Sequence, residues 1–155
     1  MRIRLITVGS KMPKWVNEGF NEYQKRLNQD VQLELVEIPA GKRGKNADLQ
    51  RITEKEGQQI LHSLHPQEHI IALDVEGKRF TTEKLSNRLN ELMHSGQQVA
   101  LLVGGPEGLS NACRNKAQEK WSLSDLTLPH PLVRIVIAEQ LYRSWSLLKG
   151  HPYHR

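Results

Sequence analysis

Cysteine is almost absent from the sequence, and long apolar runs are missing altogether. Cys113 is the single cysteine among 155 residues, which excludes an internal disulfide framework and a metal cage made of cysteines alone. No apolar run approaches the ~20 residues that a membrane-spanning helix needs, and the apolar segment within residues 1–9 ends too early for a signal peptide. We therefore expect a reduced, globular, cytoplasmic protein that has no contact with a membrane.

The charge balance is positive and the apolar fraction is low. Lys and Arg number 22 against 17 Asp and Glu, a formal net charge of +5, which suggests an anionic partner without naming one. Only 37% of the residues are hydrophobic, which raises the question of whether the chain folds alone. At this length we expect one domain, spanning residues 1–155, that buries roughly two-thirds of its unfolded surface.

Strand-like and helix-like segments alternate along the chain. Strands are predicted at residues 3–8, 31–38, 69–75, 99–103 and 121–128, and helices at 15–27, 48–64, 82–94, 110–120 and 131–148. This order predicts an α/β fold, a mainly parallel sheet with helices on both faces. Such sheets bind ligands at the carboxyl ends of their strands. The loops that follow Val75, Val103 and Leu128 are therefore the candidate binding loops.

A glycine-rich segment follows the fourth predicted strand. Gly104, Gly105, Pro106 and Gly108 come directly after a buried-type run of aliphatic residues. The segment lacks the G-x-G-x-x-G spacing and the P-loop lysine, so the familiar nucleotide-binding fingerprints are absent. Glycines at this point allow either a close approach of the backbone to a ligand or a tight strand-to-helix turn, and both interpretations stay open.

The segment Leu123–Pro131 is the second candidate loop. Its backbone groups could bind the edge of a purine while its leucines form an apolar floor. Pro129 and Pro131 fix the chain direction at the entry to the last helix. The alternative is a rigid loop in which Ser124 or Asp125 satisfies its own turn.

The last predicted helix, residues 132–148, is apolar on more than one stripe. A helix of this kind is buried on two sides, which indicates either a central helix or a subunit interface. Arg134, Glu139 and Arg143 must then find polar partners within a mostly buried element. Glu139 and Arg143 are spaced i, i+4, and a structural ion pair is the commoner interpretation of such a couple.

Two short basic segments contain candidate functional groups. The tail, residues 151–155, combines two histidines, a tyrosine and an arginine; these can accept a proton near neutral pH, stack on a base and hold a phosphate. Its His-x-x-His spacing alone makes a weak metal site. Lys42, Arg43 and Lys45 are candidate phosphate contacts, or else an ordinary solvated loop.

Four motifs occur in order along the chain, and together they carry a resemblance. They are residues 38–47 (IPAGKRGKNA), 104–109 (GGPEGL), 127–134 (TLPHPLVR) and 151–155 (HPYHR). The sequence closely resembles the RlmH family, the bacterial 23S rRNA pseudouridine N3-methyltransferases of the SPOUT class. The resemblance extends over essentially the whole chain, and none of the four motifs departs from the family pattern.

The resemblance implies a fold and a cofactor that periodicity alone does not reveal. SPOUT enzymes have an α/β knot, in which the C-terminal segment threads a loop to form a deep trefoil knot, an exception to the rule against threading. The knot loops hold S-adenosylmethionine, no metal is needed, and the last helices pair two subunits into a homodimer. Carried over to this sequence, the cofactor contacts are Leu73, Gly104, Gly105, Leu123, Ser124, Asp125, Leu126, Thr127 and Leu128.

The resemblance also implies a reaction, the methylation of N3 of a pseudouridine in 23S rRNA on the assembled 70S ribosome. Our hypothesis is that His154 acts as the base or proton relay, while Tyr153 and Arg155 position the nucleotide. Glu139 and Arg143 would support the site from the last helix, and the base could instead be Glu139 or bulk water. Lys42, Arg43 and Lys45 are expected to contact RNA. We further expect the tail of one subunit to lie near the cofactor of the other.

Two other functions remain as alternatives. A Rossmann-like methyltransferase or nucleotide-binding enzyme would carry an early glycine motif, which residues 8–11 (VGSK) match poorly. A non-enzymatic ribosome-binding or assembly factor would use the basic face alone and would have no affinity for S-adenosylmethionine.

Overall fold

The described residues form eleven elements of secondary structure, which follow one another in sequence. The structure is a computed structural model, and it describes residues 1–27 and 29–154. Arg155, which the sequence predicts to position the nucleotide, lies outside the described residues. The strands are β1 Arg2–Val8, β2 Gln32–Ile38, β3 His69–Arg79, β4 Val99–Val103 and β5 Glu119–Ser122. The helices are α1 Lys14–Gln24, α2 Leu49–Ser63, α3 Thr82–Ser95, α4 Asn111–Lys116, α5 His130–Leu148 and the short 3-10 helix Pro152–His154.

The five strands form one parallel sheet in the order β2-β1-β4-β3-β5. In its centre, Ile3 is in register with Leu33 on one side and with Val99 on the other. At one edge, the register between β3 and β5 shifts between Leu73 and Lys78, where β3 is irregular. The predicted α/β class and the parallel sheet are confirmed, and all five carboxyl ends lie at one edge.

Alternation along the strands distributes the core over the two faces of the sheet. Ile3 and Leu5 pack on one face against α1, α3 and α5. Ile6 and Val8 point to the opposite face, where the core contains Ile60 of α2 and residues of α4. The central strands β1 and β4 are covered on both sides and are buried almost throughout, as expected of a buried parallel sheet. The edge strand β2 instead alternates, with Gln32, Glu34 and Glu37 exposed.

Side-chain caps define where several helices begin. Asp48, Thr81 and Ser110 accept hydrogen bonds from the backbone N–H three residues ahead, at 3.1, 3.2 and 3.2 Å, which is the N-cap geometry. Ser110 is thus a cap, as its position predicts. The helix that it begins stops at Lys116 rather than near residue 120, because Gln118 donates its backbone N–H to the Ile70 carbonyl at 2.8 Å and joins the sheet.

The last strand is shorter than the sequence predicts. A strand over 121–128 is wrong: β5 ends at Ser122, and residues 123–128 form a loop. Ser122 Oγ donates to the Ser124 carbonyl at 3.1 Å, and the Leu126 N–H donates to Ser124 Oγ at 2.9 Å. These local side-chain bonds compete with the ladder and turn the chain away from the sheet. None of the helices in the described parts of the chain is both long and apolar enough to span a membrane.

Candidate functional site

The irregular bend of β3 at residues 73–75 and the loops after β4 and β5 enclose a cavity of about 580 Å³ together with the start of α5. This volume falls within the range of small-molecule and cofactor sites. The predicted loop after Val75 is thus a bend within β3, which continues to Arg79. The cavity brings together most of the residues that the resemblance marks as cofactor contacts: Leu73, Gly104, Gly105, Leu123, Ser124, Leu126, Thr127 and Leu128. Their role in binding stays a prediction.

Asp125, the remaining predicted contact, does not line this cavity. Its carboxylate pairs with Arg79 Nε at 2.8 Å, and both side chains are about two-thirds or more exposed, at 67% and 72%. A surface pair of this kind contributes little to stability. Asp125 therefore ties the loop after β5 to the end of β3 at the surface.

The glycine loop, residues 104–108, is shaped by its own backbone. A Cβ added at Gly104 would lie 2.2 Å from the Gly108 carbonyl carbon, and Gly108 has a φ of +83°. The Gly108 N–H also donates to the Gly105 carbonyl at 2.9 Å. Gly104 and Gly108 are thus required by the turn itself, and the turn presents the loop as one wall of the cavity.

Sequence analysis missed two cavity-lining side chains that carry chemistry. Asp74 lies at the bend of β3, with only 9% of its side chain exposed and Arg114 Nη1 3.6 Å from its carboxylate. His130 begins α5 between two prolines, and burial together with nearby Arg134 and Arg43 lowers its pKa. The imidazole of His130 is therefore neutral at pH 7. The flanking prolines mark its position in the sequence but give no sign of its surroundings.

A second group of candidate residues, which we call the tail cluster, consists of Glu139, Arg143, Tyr153 and His154. Arg143 Nε donates to Glu139 Oε1 at 2.8 Å, and Tyr153 Oη donates to the same oxygen at 3.1 Å. The predicted i, i+4 pair is therefore present, and the tail folds back on α5 to join it. Arg143 Nη1 also reaches the His154 carbonyl, at 3.5 Å.

Aromatic and cationic side chains surround the tail cluster. The Tyr153 ring centroid lies 4.6 Å from that of Tyr142 and 6.5 Å from that of Tyr23, and Arg26 lies within 5.8 Å of all three rings. Burial, with Tyr23 and Glu139 as neighbours, raises the pKa of Tyr153. Tyr153 thus remains a hydrogen-bond donor at neutral pH. The sequence separates these residues too widely for the contact to be predicted.

The tail cluster and the cavity are separate within one chain. None of the four residues of the tail cluster lines the cavity, whose α5 wall ends at Val133. Glu139 lies six residues further along α5, roughly 9 Å at the helical rise. His154 is half-buried, and its Nδ1 is buried without a hydrogen-bond partner among the described residues. A single chain thus presents a cavity and a polar cluster that do not meet.

The three basic residues predicted to contact RNA have different surroundings. Lys42 and Lys45 are exposed, and neither forms an ion pair with another described residue. Arg43 instead pairs with Glu56 and with Glu107 of the glycine loop, at 2.9 and 2.8 Å. Over residues 1–27 and 29–154, no three His, Cys, Asp or Glu side chains are grouped closely enough to hold a metal ion.

A parallel sheet with helices on both faces and a cavity at its carboxyl edge defines an α/β protein whose cavity lies where such sheets usually bind ligands. The family model described as "Predicted SPOUT methyltransferase" matches residues 1–154. The chain belongs to the SPOUT methyltransferase family and is an enzyme of that class. The resemblance carried by the four sequence motifs is thereby confirmed.

Comparison with known proteins supports this assignment. The chain is 58% identical over 155 residues to a protein from Hahella chejuensis (strain KCTC 2396) named "Ribosomal RNA large subunit methyltransferase H", covering 100% of this chain and 99% of that protein. Solved structures share the fold at low identity. A probable methylase family protein from Haemophilus influenzae Rd KW20 has a TM-score of 0.57 at 12% identity over 99% of this chain and 70% of that one. A probable methyltransferase from Bordetella pertussis Tohama I has a TM-score of 0.56 at 16% identity over 92% and 95%.

Proposed function

We propose that this enzyme methylates 23S rRNA, transferring a methyl group from S-adenosylmethionine to N3 of a pseudouridine on the assembled 70S ribosome in the cytoplasm. One observation carries the proposal: in a chain of the SPOUT methyltransferase family, the two loops that contain motif residues, after β4 and β5, enclose a cavity of about 580 Å³ together with the bend of β3. The full-length identity to a relative named as a large-subunit rRNA methyltransferase supports the substrate.

The residues around the cavity fit S-adenosylmethionine. The half-buried side chains of Leu73, Leu123 and Leu128 offer apolar contact to a purine, and the glycine loop offers backbone groups. The carboxylate of Asp74 also lines the cavity, and it suits a ligand with a positive sulfonium and an ammonium group. As in other SPOUT enzymes, we propose that the C-terminal segment threads a loop and that the knot shapes this cavity.

The reaction divides into tasks for the cofactor and for the protein. S-adenosylmethionine supplies an activated methyl group, so the cofactor carries the difficult bond change. The protein has to hold N3 of the base in line with that group and remove a weakly acidic proton. We assign the proton to His154 and the placement of the nucleotide to Tyr153 and Arg155, with Glu139 and Arg143 as their support on α5.

A homodimer would bring these two groups together. The tail cluster does not reach its own cavity, and apolar side chains are exposed at the same edge of the sheet. Val75 and Leu126 line the cavity with 60% and 75% exposure, while Trp15 and Leu132, at the starts of α1 and α5, are 55% and 37% exposed. An apolar surface of this kind indicates a protein interface. We propose that the second subunit covers this edge and brings its tail to the cavity.

Cofactor binding and substrate choice can be tested in one set of measurements. Calorimetric titration should show that the wild-type protein binds S-adenosylmethionine. Assembled 70S ribosomes, isolated subunits and free 23S rRNA, all from a strain that lacks this enzyme, are then incubated with the protein and methyl-labelled cofactor. We expect label in 23S rRNA of the 70S ribosome, and mapping should place it on N3 of a pseudouridine.

Two outcomes would contradict the proposal. Ribosome binding without any heat of cofactor binding would identify a non-enzymatic ribosome-binding or assembly factor. Label at another nucleotide, or labelling of free rRNA in preference to ribosomes, would overturn the substrate while leaving the methyltransferase class intact.

A further inference from the structure

The guanidinium of Arg43 bridges three separate parts of the chain. Arg43 Nη1 and Nη2 donate to the two carboxylate oxygens of Glu56 on α2, both at 2.9 Å. Nη2 and Nε donate to Glu107 Oε2 in the glycine loop, at 2.8 and 3.0 Å. The second hydrogen of Nη1 is directed to the Gly41 carbonyl at 2.9 Å. The donors of the guanidinium are thus fully occupied within the chain.

The Arg43–Glu56 part of this ion-pair cluster is shielded from water, whereas Glu107 lies at the surface. The side chains of Arg43, Glu56 and Glu107 are 19%, 5% and 27% exposed. Glu56 Oε2 also accepts the Gly41 N–H at 2.8 Å. The carboxylate of Glu56 therefore binds both the backbone and the Arg43 side chain of the basic loop, residues 41–45. Hydrogen bonding to Arg43 lowers the pKa of Glu107, which keeps that carboxylate charged. Bidentate, charge-assisted bonds of this kind are geometrically specific.

The cluster lies directly behind the wall of the cofactor cavity. A Cβ added at Gly105 would lie 3.1 Å from Arg43 Nη2 and 3.6 Å from Glu56 Oε1. Gly105 and Glu107 themselves line the cavity. The glycine loop has few other side-chain anchors, because residues 104–108 offer only Pro106 and Glu107 beyond the backbone. The position of this wall therefore depends on the hydrogen bonds by which Arg43 links Glu107 to Glu56.

We propose that Arg43 is a positioning residue for the cofactor site: it holds Glu107 against α2 and so keeps the glycine loop in the shape that binds S-adenosylmethionine. Arg43 then acts through the loop rather than as a contact to rRNA, since a phosphate would have to displace a carboxylate from it. The inference rests on the proposed function, because it takes the cavity to be the S-adenosylmethionine site. Lys42 and Lys45 remain the RNA contacts of the basic loop.

The test compares Arg43→Gln and Arg43→Lys with wild type. Lysine keeps the charge but cannot span two carboxylates with a rigid fork, so both variants should behave alike. We expect the Kd for S-adenosylmethionine to rise about tenfold, the scale of one lost charge-assisted contact. The KM for cofactor should rise in step, while kcat at saturating cofactor and the affinity for 70S ribosomes stay within about twofold of wild type.

Arg88→Gln is the matched control. Arg88 also bridges two carboxylates, Glu119 and Glu91, with a side chain that is 27% exposed, but none of these three residues lines the cavity. This variant should lower Tm to a comparable extent without changing the cofactor Kd. Glu107→Gln provides a second test if Arg43 variants fold poorly, because the Arg43–Glu56 contact survives there. It should weaken cofactor binding and speed amide hydrogen exchange at Gly105 and Gly108.

The outcomes separate this inference from the proposed function. If the wild-type protein does not bind S-adenosylmethionine, the proposed function fails first. If wild type binds and the Arg43 and Glu107 variants bind equally well, the positioning role alone is overturned. A loss of ribosome affinity in Arg43→Gln with an unchanged cofactor Kd would show that Arg43 is an RNA contact after all.

Discussion

At the scale of single residues, hydrogen-bond occupancy distinguishes the candidate proton acceptors. Glu139 Oε1 accepts from Arg143 Nε and Tyr153 Oη, and Glu139 Oε2 accepts from Gln140 Nε2 at 2.7 Å. A carboxylate offers about four hydrogen-bond acceptor positions, and three donors already occupy Glu139. His154 has no partner at Nδ1 among the described residues. The contacts therefore favour His154 as the base and Glu139 as its support.

The variant His154→Ala tests this assignment. We expect methyl transfer to 70S ribosomes to fall roughly 10²–10⁴-fold, the usual contribution of a positioned acid or base, while the calorimetric Kd for S-adenosylmethionine stays unchanged. His62→Ala, an exposed histidine on α2, is the matched control and should retain wild-type turnover. Unchanged turnover in His154→Ala would transfer the role to bulk water.

At the scale of elements, one carboxylate ties the edge strand β5 to β3 and α3. Glu119 accepts hydrogen bonds from Arg88 Nε at 3.1 Å and Trp121 Nε1 at 3.0 Å, and it pairs with His69. Burial alone would raise the pKa of Glu119, but the bonds from Arg88, Trp121 and His69 outweigh it and lower the pKa to about 2. None of these four residues lines the cavity, so we expect the network to act on the stability of the edge strand.

The lowered pKa of Glu119 predicts how the stability of the fold changes in acid. A glutamate in the unfolded chain has a pKa of about 4.3. The network therefore stabilises the fold fully above that pH, and this stabilisation is lost as the pH falls toward 2. By linkage, the lowered pKa of Glu119 contributes about 3 kcal/mol to the free energy of unfolding at neutral pH. Thermal unfolding of wild type and Glu119→Gln is measured from pH 7 to pH 2.5. The Tm of the variant should fall less steeply with decreasing pH than that of wild type. Parallel curves would contradict a lowered pKa.

The same elements show which structural features can be predicted from local sequence patterns. Apolar alternation predicts β1, β2 and β4 closely, and Ser110 predicts a cap, because both signals lie within a few residues. The predicted end of β5 is wrong because side-chain hydrogen bonds of Ser122 and Ser124 compete with the backbone hydrogen bonds of the sheet. The ion pairs of Arg43 could not be predicted, because Glu56 and Glu107 lie 13 and 64 residues away along the chain.

At the scale of the whole molecule, the low apolar content acquires a physical explanation. The chain builds a two-sided core around its sheet, yet it leaves Trp15, Val75, Leu126 and Leu132 exposed at the edge where the cavity opens. The most apolar helix, α5, packs on α1 and α3 and carries the tail cluster on a side that does not meet the cavity. Under the proposed function, one chain provides the complete fold and needs a second copy to complete the site.

Mixed dimers test whether the site is shared between subunits. One subunit lacks residues 151–155, and the other carries Gly104→Ala, whose Cβ would lie 2.2 Å from the Gly108 carbonyl carbon and displace the cavity wall. Each variant alone should be inactive. Co-expressed with separate tags and purified as a mixture, they should recover roughly a quarter of wild-type methyl transfer, since about half of the dimers are mixed and each has one intact site. If each subunit used its own tail, mixed dimers would stay inactive, and a monomer in sedimentation analysis would contradict the arrangement directly.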